Sequence, residues 1–249
     1  MAQGTFAFAA GKRGLTLAMM WGVRESVGDV IGVGPVANVF VYFGQSNLAG
    51  QAIIVLLLLV SLLAWTVMLG KFLDLRSSAN QNGAFAKRLA ASPSLLAVDP
   101  EFGRAPGFFA ELTRAAVKAF HGARQGDLAI KHVENAVQRQ VNDGANAYES
   151  KMVLLGTVVS GAPFMGLLGT VWGVMDAFGA IAGDQTASIN ALAPGVSGAL
   201  LTTVAGLLVA IPAVFGFNFL NSRVKVMQTD LENFASTLVD RLELEAEEL

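Results

Sequence analysis

The chain contains no cysteine and only two histidines, and just 14% of its 249 residues are charged. Missing thiols exclude a disulfide framework, and they leave the redox compartment unreadable from cysteine usage. His121 and His132 stand in a polar region without ligand spacing, so both read as solvated helix positions and no metal site is expected. Basic residues form no dense run, and the net charge of -2 leaves no electrostatic footprint for nucleic acid. No internal repeat or low-complexity tract is present.

What fills the chain instead is hydrocarbon. Hydrophobic residues make up 53% of it and the mean hydropathy is clearly positive, which indicates an integral membrane protein. About 20 apolar residues are needed to cross some 30 Å of bilayer core. Three stretches qualify: residues 52–69, a dense Leu/Ile/Val run ending at Gly70 and Lys71; Met152 to Met175, without a charge; and part of the uncharged run from Gln185 to Ser222, which holds Pro194 and Pro212. Residues 12–23 imitate the basic and apolar regions of a signal peptide, but no small-x-small site follows, so the segment is expected to be retained.

Orientation follows from lysine and arginine. Eleven of the seventeen lie between Lys71 and Lys151, and the connection at 182–192 has none. The positive-inside rule then puts 71–151 in the cytoplasm, the amino terminus and the 182–192 connection outside, and the carboxyl terminus inside. The expected layout is an outer segment at 1–47, spans at 48–70, 151–182 and 190–220, a cytoplasmic region at 71–150, an outer loop at 183–189 and a cytoplasmic helix at 221–249.

The cytoplasmic region reads as helical. A polar helix continues from the first span to about Ala91, where SPSLLAVDP supplies breakers, and an amphipathic helix runs from Phe108 to about Ala119. Beyond Gly126, Asp127 suits an N-cap. From there Ile130, Val133, Val137, Val141, Gly144 and Tyr148 recur at helical spacing with no proline before Pro163. The sequence therefore predicts one helix over 127–182, roughly 84 Å long. Met227, Leu231, Phe234, Leu238 and Leu242 continue a stripe past the third span into the acidic LELEAEEL. Two such stripes must bury each other or meet neighbouring subunits.

Small residues line the second and third spans. Gly169, Gly173 and Ala177 recur at spacing four, as do Gly198, Thr202, Gly206 and Ala210. In lipid, helices associate through small residues that let backbones approach, so these two spans are expected to pack tightly while the leucine-rich first span faces lipid.

The segment APFMGLLGTVWGVM (162–175), followed by APGVSGALLTTVAGLLVAIPAV (193–214), closely resembles the paired motif of the ExbB/TolQ branch of the MotA/TolQ/ExbB proton-channel family. The likeness is sharpest over 150–220 and absent from the first 40 residues. It implies an all-α membrane protein of three spans with long cytoplasmic helical extensions, assembled as a pentameric ring in the bacterial inner membrane. It implies no enzymatic activity and no cofactor. The implied partners are two copies of an ExbD/TolR-like single-span protein, whose transmembrane aspartate carries protons through a pore lined by the second and third spans, and a TonB- or TolA-like protein energised by the motor.

By the same resemblance Thr170 and Thr203, with Thr202 beside it, match the family's pore threonines. From the residues alone each hydroxyl could equally bond the carbonyl one turn earlier. Pro163 and Pro212 match as kinks that shape helices around the pore, with Gly166, Gly169, Gly173, Gly198 and Gly206 as packing positions. Trp172 reads as a packing or interfacial aromatic. Many relatives read APGIAEAL where this chain reads APGVSGAL, so the familiar glutamate is replaced by Gly198. Asp176 lies six residues outward of Thr170, and Gly198 five outward of Thr203 on an antiparallel helix. If the threonines share a depth, the two positions differ by about 1.5 Å along the membrane normal. Asp176 therefore has two readings, a carboxylate moved to the neighbouring helix or a solvated group near the headgroups.

Other chemistry finds no support. GLLGTVWG lacks the lysine and hydroxyl residue of a phosphate loop. No histidine lies at membrane depth for a serine protease, and Asp176 and Asp184 make a poor aspartyl pair. Three spans without inverted repeats do not suit a secondary transporter. A passive scaffold, a sodium-driven relative, and the choice between TonB-linked and Tol-linked work stay open at this level. The topology is open to direct measurement, since the chain has no thiol of its own. Single cysteines placed between 72 and 150 should resist an impermeant thiol reagent added outside intact cells, and efficient labelling there would overturn the assigned sidedness.

Overall fold

The computed structural model describes residues 37–95, 104–122, 127–181 and 189–247. The amino-terminal 36 residues and the 182–188 connection, where Asp184 was expected in an outer loop, lie outside the described residues. Six helices follow: α1 (Ala37–Gln45), α2 (Leu48–Ala90), α3 (Phe108–Gly122), α4 (Asp127–Glu149), α5 (Met152–Ile181) and α6 (Ile189–Glu247). Among the described residues there is no strand. Among the described residues, three stretches of helix are long and apolar enough to cross a membrane. With 43 and 59 residues, α2 and α6 run well past the bilayer, to roughly 65 and 88 Å.

By packing, the chain divides into one unit of 1–51 with 169–201, and another of 52–168 with 202–249. The second unit holds one continuous apolar core. Val133, Val137, Val141 and Tyr148 of α4 are buried in it together with Met227, Leu231, Leu238 and Leu242 of α6, so the two stripes read from the sequence are covered within a single chain. Phe109 of α3 stacks on Phe234 with ring centroids 4.0 Å apart, and Phe85 of α2 meets Phe234 edge-on. Gly144 sits in the α4 stripe because a Cβ there would fall 2.6 Å from Leu231 Cδ2. On α2, Leu58, Leu59, Leu62 and Trp65 point outward, as expected of a lipid-facing span.

The expected single helix over 127–182 is two. α4 ends at Glu149, α5 begins at Met152, and Lys151 between them takes φ 68°. At the break a distant cation meets the end of α4. The Ala147 carbonyl accepts Lys71 Nζ at 3.0 Å and Ser150 Oγ at 2.7 Å, and the ammonium also donates to Ser150 Oγ at 3.2 Å. A lysine at a helix C-terminus is favoured by the exposed carbonyls and the helix dipole. Lys71 is 4% exposed, and burial pulls its pKa below the usual lysine value, with Asp74 opposing that fall.

Two further side-chain anchors tie the polar helices. Buried Asn82 on α2 accepts the Phe109 amide through Oδ1 and donates Nδ2 to Tyr148 Oη at 2.9 Å. It thus satisfies one orphan amide at the start of α3 and orients α4 at once. Gly107, at φ 111°, brings the chain so close that a Cβ would meet Asn82 Oδ1 at 2.9 Å. Burial raises the Tyr148 pKa, against the lowering effect of the Asn82 hydrogen bond. At the far end, Arg241 of α6 donates to the carbonyls of Leu89 and Ser92, closing the C-terminus of α2. Glu245 accepts the Leu95 amide and the Ser94 hydroxyl at 2.8 Å. Asn82→Leu should lower the stability of the detergent-purified protein by about 1–3 kcal/mol, the cost of leaving buried groups unpaired. Thermal unfolding unchanged from wild type would show that Asn82 does not organise the α2–α3–α4 junction.

Candidate functional site

In the second unit, α5 and α6 cross where neither helix has a side chain. A Cβ on Gly166 would lie 2.7 Å from the Thr202 carbonyl, 3.0 Å from Thr203 Cα and 3.2 Å from Gly206 Cα. A Cβ on Gly206 would lie 2.7 Å from the Ala162 carbonyl and 3.1 Å from Gly166 Cα. The backbones touch, which is what small residues at helical spacing allow in lipid.

That contact aims two hydroxyls at one carbonyl. Thr202 Oγ1 donates to Gly166 O at 2.9 Å, and Thr203 Oγ1 donates to the same oxygen at 3.2 Å. Thr202 is wholly buried and Thr203 half-buried. For Thr203 a bond to the carbonyl one turn back is therefore not the whole account, because its bond to Gly166 crosses between helices. Pro163 lies inside α5, three residues before Gly166, where its missing N–H removes one rung of the helix ladder. Pro212 likewise sits within the unbroken α6.

The first unit places the remaining polar residues around the corner between α1 and α2. Asn47 caps α2, its Oδ1 accepting the Gly50 amide at 2.8 Å. Its Nδ2 donates to Asp176 Oδ2 at 3.2 Å. The adjacent Ser46 donates its hydroxyl to Gly198 O at 2.9 Å and to Tyr42 O at 3.0 Å, and Gln51 Nε2 donates to Ser46 O at 3.1 Å. Asp176 and Gly198 thus touch consecutive residues of one turn, some 3.8 Å apart along the chain. A Cβ on Gly198 would fall 2.8 Å from Ser46 Oγ and 2.9 Å from Ser46 Cα and N. Backbone, not a flexible side-chain tip, fills the space a glutamate would need.

Small residues also close this unit. A Cβ on Gly173 would meet the Ala199 Cβ at 2.6 Å, and one on Gly195 would meet the Ala177 Cβ at 3.1 Å. Gly169 is buried and Thr170 half-buried on the same helix, while Asp176 and Trp172 are exposed. The structure thus gathers Gly166, Thr202, Thr203 and Gly206 at one crossing, and Asp176 and Gly198 at one corner. Sequence reasoning missed Ser46 and Asn47, although a serine and an asparagine just before an apolar run is a helix-start pattern.

A protein-family model described as the MotA/TolQ/ExbB proton channel family matches residues 107–233. The chain is similar to the Tol-Pal system protein TolQ of Haemophilus influenzae, 30% identical over 200 residues covering 77% of this chain and 88% of that protein. It is also similar to the biopolymer transport protein ExbB of Xanthomonas campestris pv. campestris, 33% identical over 201 residues covering 75% and 79%. Among solved structures, a chain of C. jejuni MotAB shares the fold with a TM-score of 0.53, at 18% identity, over 95% of this chain and 90% of that one.

The corner makes a prediction for position 198. Gly198→Glu should destabilise the protein by about 1–3 kcal/mol, the usual cost of overpacking, because Ser46 backbone occupies the site. A variant as heat-stable as wild type would show that the corner yields readily.

Proposed function

This chain belongs to the MotA/TolQ/ExbB proton channel family, and from that premise we propose that it is the ring-forming subunit of a proton-driven inner-membrane motor. The observation that carries the reading is the α5–α6 crossing. Thr202 and Thr203 bring hydroxyls to a glycine-to-glycine backbone contact, on the two helices that the family likeness makes pore-lining. In this reading the subunit is non-enzymatic and multi-pass, with its amino terminus outside and its carboxyl terminus in the cytoplasm. Five copies surround two copies of an ExbD/TolR-like single-span partner and energise a TonB- or TolA-like protein.

Large exposed side chains support assembly. Phe164, Leu167, Leu168, Val171, Met175 and Phe178 of α5, and Leu200, Val204, Leu208, Ile211 and Phe215 of α6, are apolar and open in the single chain. Lipid can cover some of them; a ring covers the rest and gives the pore its wall.

The mechanism follows from the cost of charge in a dry site. An ionised aspartate on the partner helix is expensive among apolar walls and cheap beside hydroxyls or water, whereas the protonated form tolerates either. Pore threonines therefore give the charged form a resting position. Proton binding releases it, and the ring turns against the partner pair. Thr170 and Thr203 supply these stops, Thr203 by turning its one O–H away from the Gly166 carbonyl, which Thr202 continues to satisfy. Thr202, wholly buried, holds the crossing beside Thr203. No relay through a glutamate at 198 operates here; Asp176, held by Asn47, stands as the carboxylate near that level.

Flux through complexes reconstituted with the partner tests the assignment. Thr170→Val and Thr203→Val keep volume and remove a hydroxyl, so assembly should persist while proton flux falls about tenfold, as expected for roughly 1.4 kcal/mol lost at the stop. Asp176→Asn should also lower flux. Undiminished flux in both threonine variants would sink the pore assignment and leave a scaffold. Undiminished flux in the Asp176 variant alone would return that carboxylate to the solvated edge of the helix.

A further inference from the structure

Where α2 and α6 leave the apolar zone, the second unit holds a cavity of about 330 Å³ lined by Phe72, Leu75, Arg76, Leu220, Arg223 and Asp230, among others. Both guanidiniums are exposed. The ion pairs among the described residues are Lys151 with Asp74 and Arg241 with Glu245, so neither arginine of the cavity is matched by a carboxylate. Arg223 instead lies over the Phe219 ring at 5.7 Å, and Phe219 pairs with Phe72 at 6.2 Å between centroids. The acid in the cavity, Asp230, stands seven residues beyond Arg223 on the same helix, about 10 Å farther from the membrane. The anion-accepting end thus faces the bilayer and the acidic end faces away from it.

Three properties of this place converge on one ligand chemistry. Its level is that of the headgroups, because the apolar run of α2 ends at Gly70 and that of α6 at Ser222. Exposed Leu69, Phe215 and Phe219 continue its wall down the outside of the spans, where acyl chains lie. Planar guanidinium forks suit phosphate oxygens, and basic pockets between membrane helices bind anionic headgroups. We propose that the groove between α2 and α6 binds the phosphate of an anionic phospholipid between Arg76 and Arg223, with its acyl chains laid along Leu69, Phe215 and Phe219. A bound lipid would fill the junction of the first and third helices at the membrane edge, and would hold the polar half of α2 against α6.

Binding of phosphatidylglycerol to the full-length protein in mixed micelles tests this, with phosphatidylcholine and glycerol 1-phosphate as comparison ligands. The measurement needs neither the partner nor a proton gradient, so its result is independent of the channel reading. R76Q/R223Q should bind phosphatidylglycerol on the order of tenfold more weakly than wild type, with thermal unfolding unchanged. R76K/R223K, which keeps the charge, should stay closer to wild type. Phosphatidylcholine should bind wild type and R76Q/R223Q alike and weakly, and millimolar glycerol 1-phosphate should not displace the lipid. Equal phosphatidylglycerol binding by wild type and R76Q/R223Q would overturn the site. A loss as large in the lysine variant as in the glutamine variant, or phosphatidylcholine binding as tight as phosphatidylglycerol, would overturn anion recognition. Displacement by glycerol 1-phosphate would overturn the lipid as its ligand.

Discussion

A contact between two backbones, Gly166 against Gly206, is the constraint on which the membrane part of this chain rests. Inside lipid there is no gain from hiding apolar surface, so helices hold together through close packing and the few polar bonds they can share. Removing side chains from both helices brings the Gly166 carbonyl within reach of Thr202 and Thr203, and the hydroxyls satisfy it from the opposite helix. Shape and polarity thus act together. A larger residue at either glycine would cost more than a clash, because it would also separate the donors from their acceptor.

Outside the bilayer the solution is different. Long stripes on α4 and α6 bury Val133, Val141, Leu231 and Leu242 by ordinary hydrophobic association. Helix order there is set by single polar side chains that reach distant backbone. Asn82 serves the amide of Phe109, Lys71 the carbonyl of Ala147, and Arg241 the carbonyls of Leu89 and Ser92. Each anchor ends or starts a helix where a backbone group would otherwise stay unsatisfied. The half of the chain that is richest in charge therefore uses these side chains as terminators, and only Lys151–Asp74 and Arg241–Glu245 form ion pairs among the described residues.

Period and composition carried most of the architecture. The spans, the helical course of α2 to Ala90, the start of α3 at Phe108 and the stripes of α4 and α6 are all visible as spacing, because each depends on neighbours three or four residues away. The small-residue lines likewise announced close packing at Gly173 and Gly206, whereas Gly166, the other half of the crossing, stands outside the Gly169–Gly173–Ala177 line. The break at Lys151 was not legible: no glycine or proline marks it, and Lys71, which bonds the end of α4 there, lies eighty residues earlier in the chain. The same holds for the corner at Ser46 and Asn47, whose partners are 152 and 129 residues distant. Gly198 could be seen as a departure from its relatives, but not as a requirement. Its reason is a segment that pattern reading treats as mere connection.

That requirement bears on how freely this corner accepts substitution. With Ser46 seated against Gly198, the position has become hostage to a residue in another element, and the order of substitutions matters. A side chain at 198 needs the turn to withdraw, and withdrawal disturbs the helix cap and the amide that Asn47 extends to Asp176. Positions 46, 47, 176 and 198 are therefore coupled in this chain, and a change at one of them alters what the other three can hold.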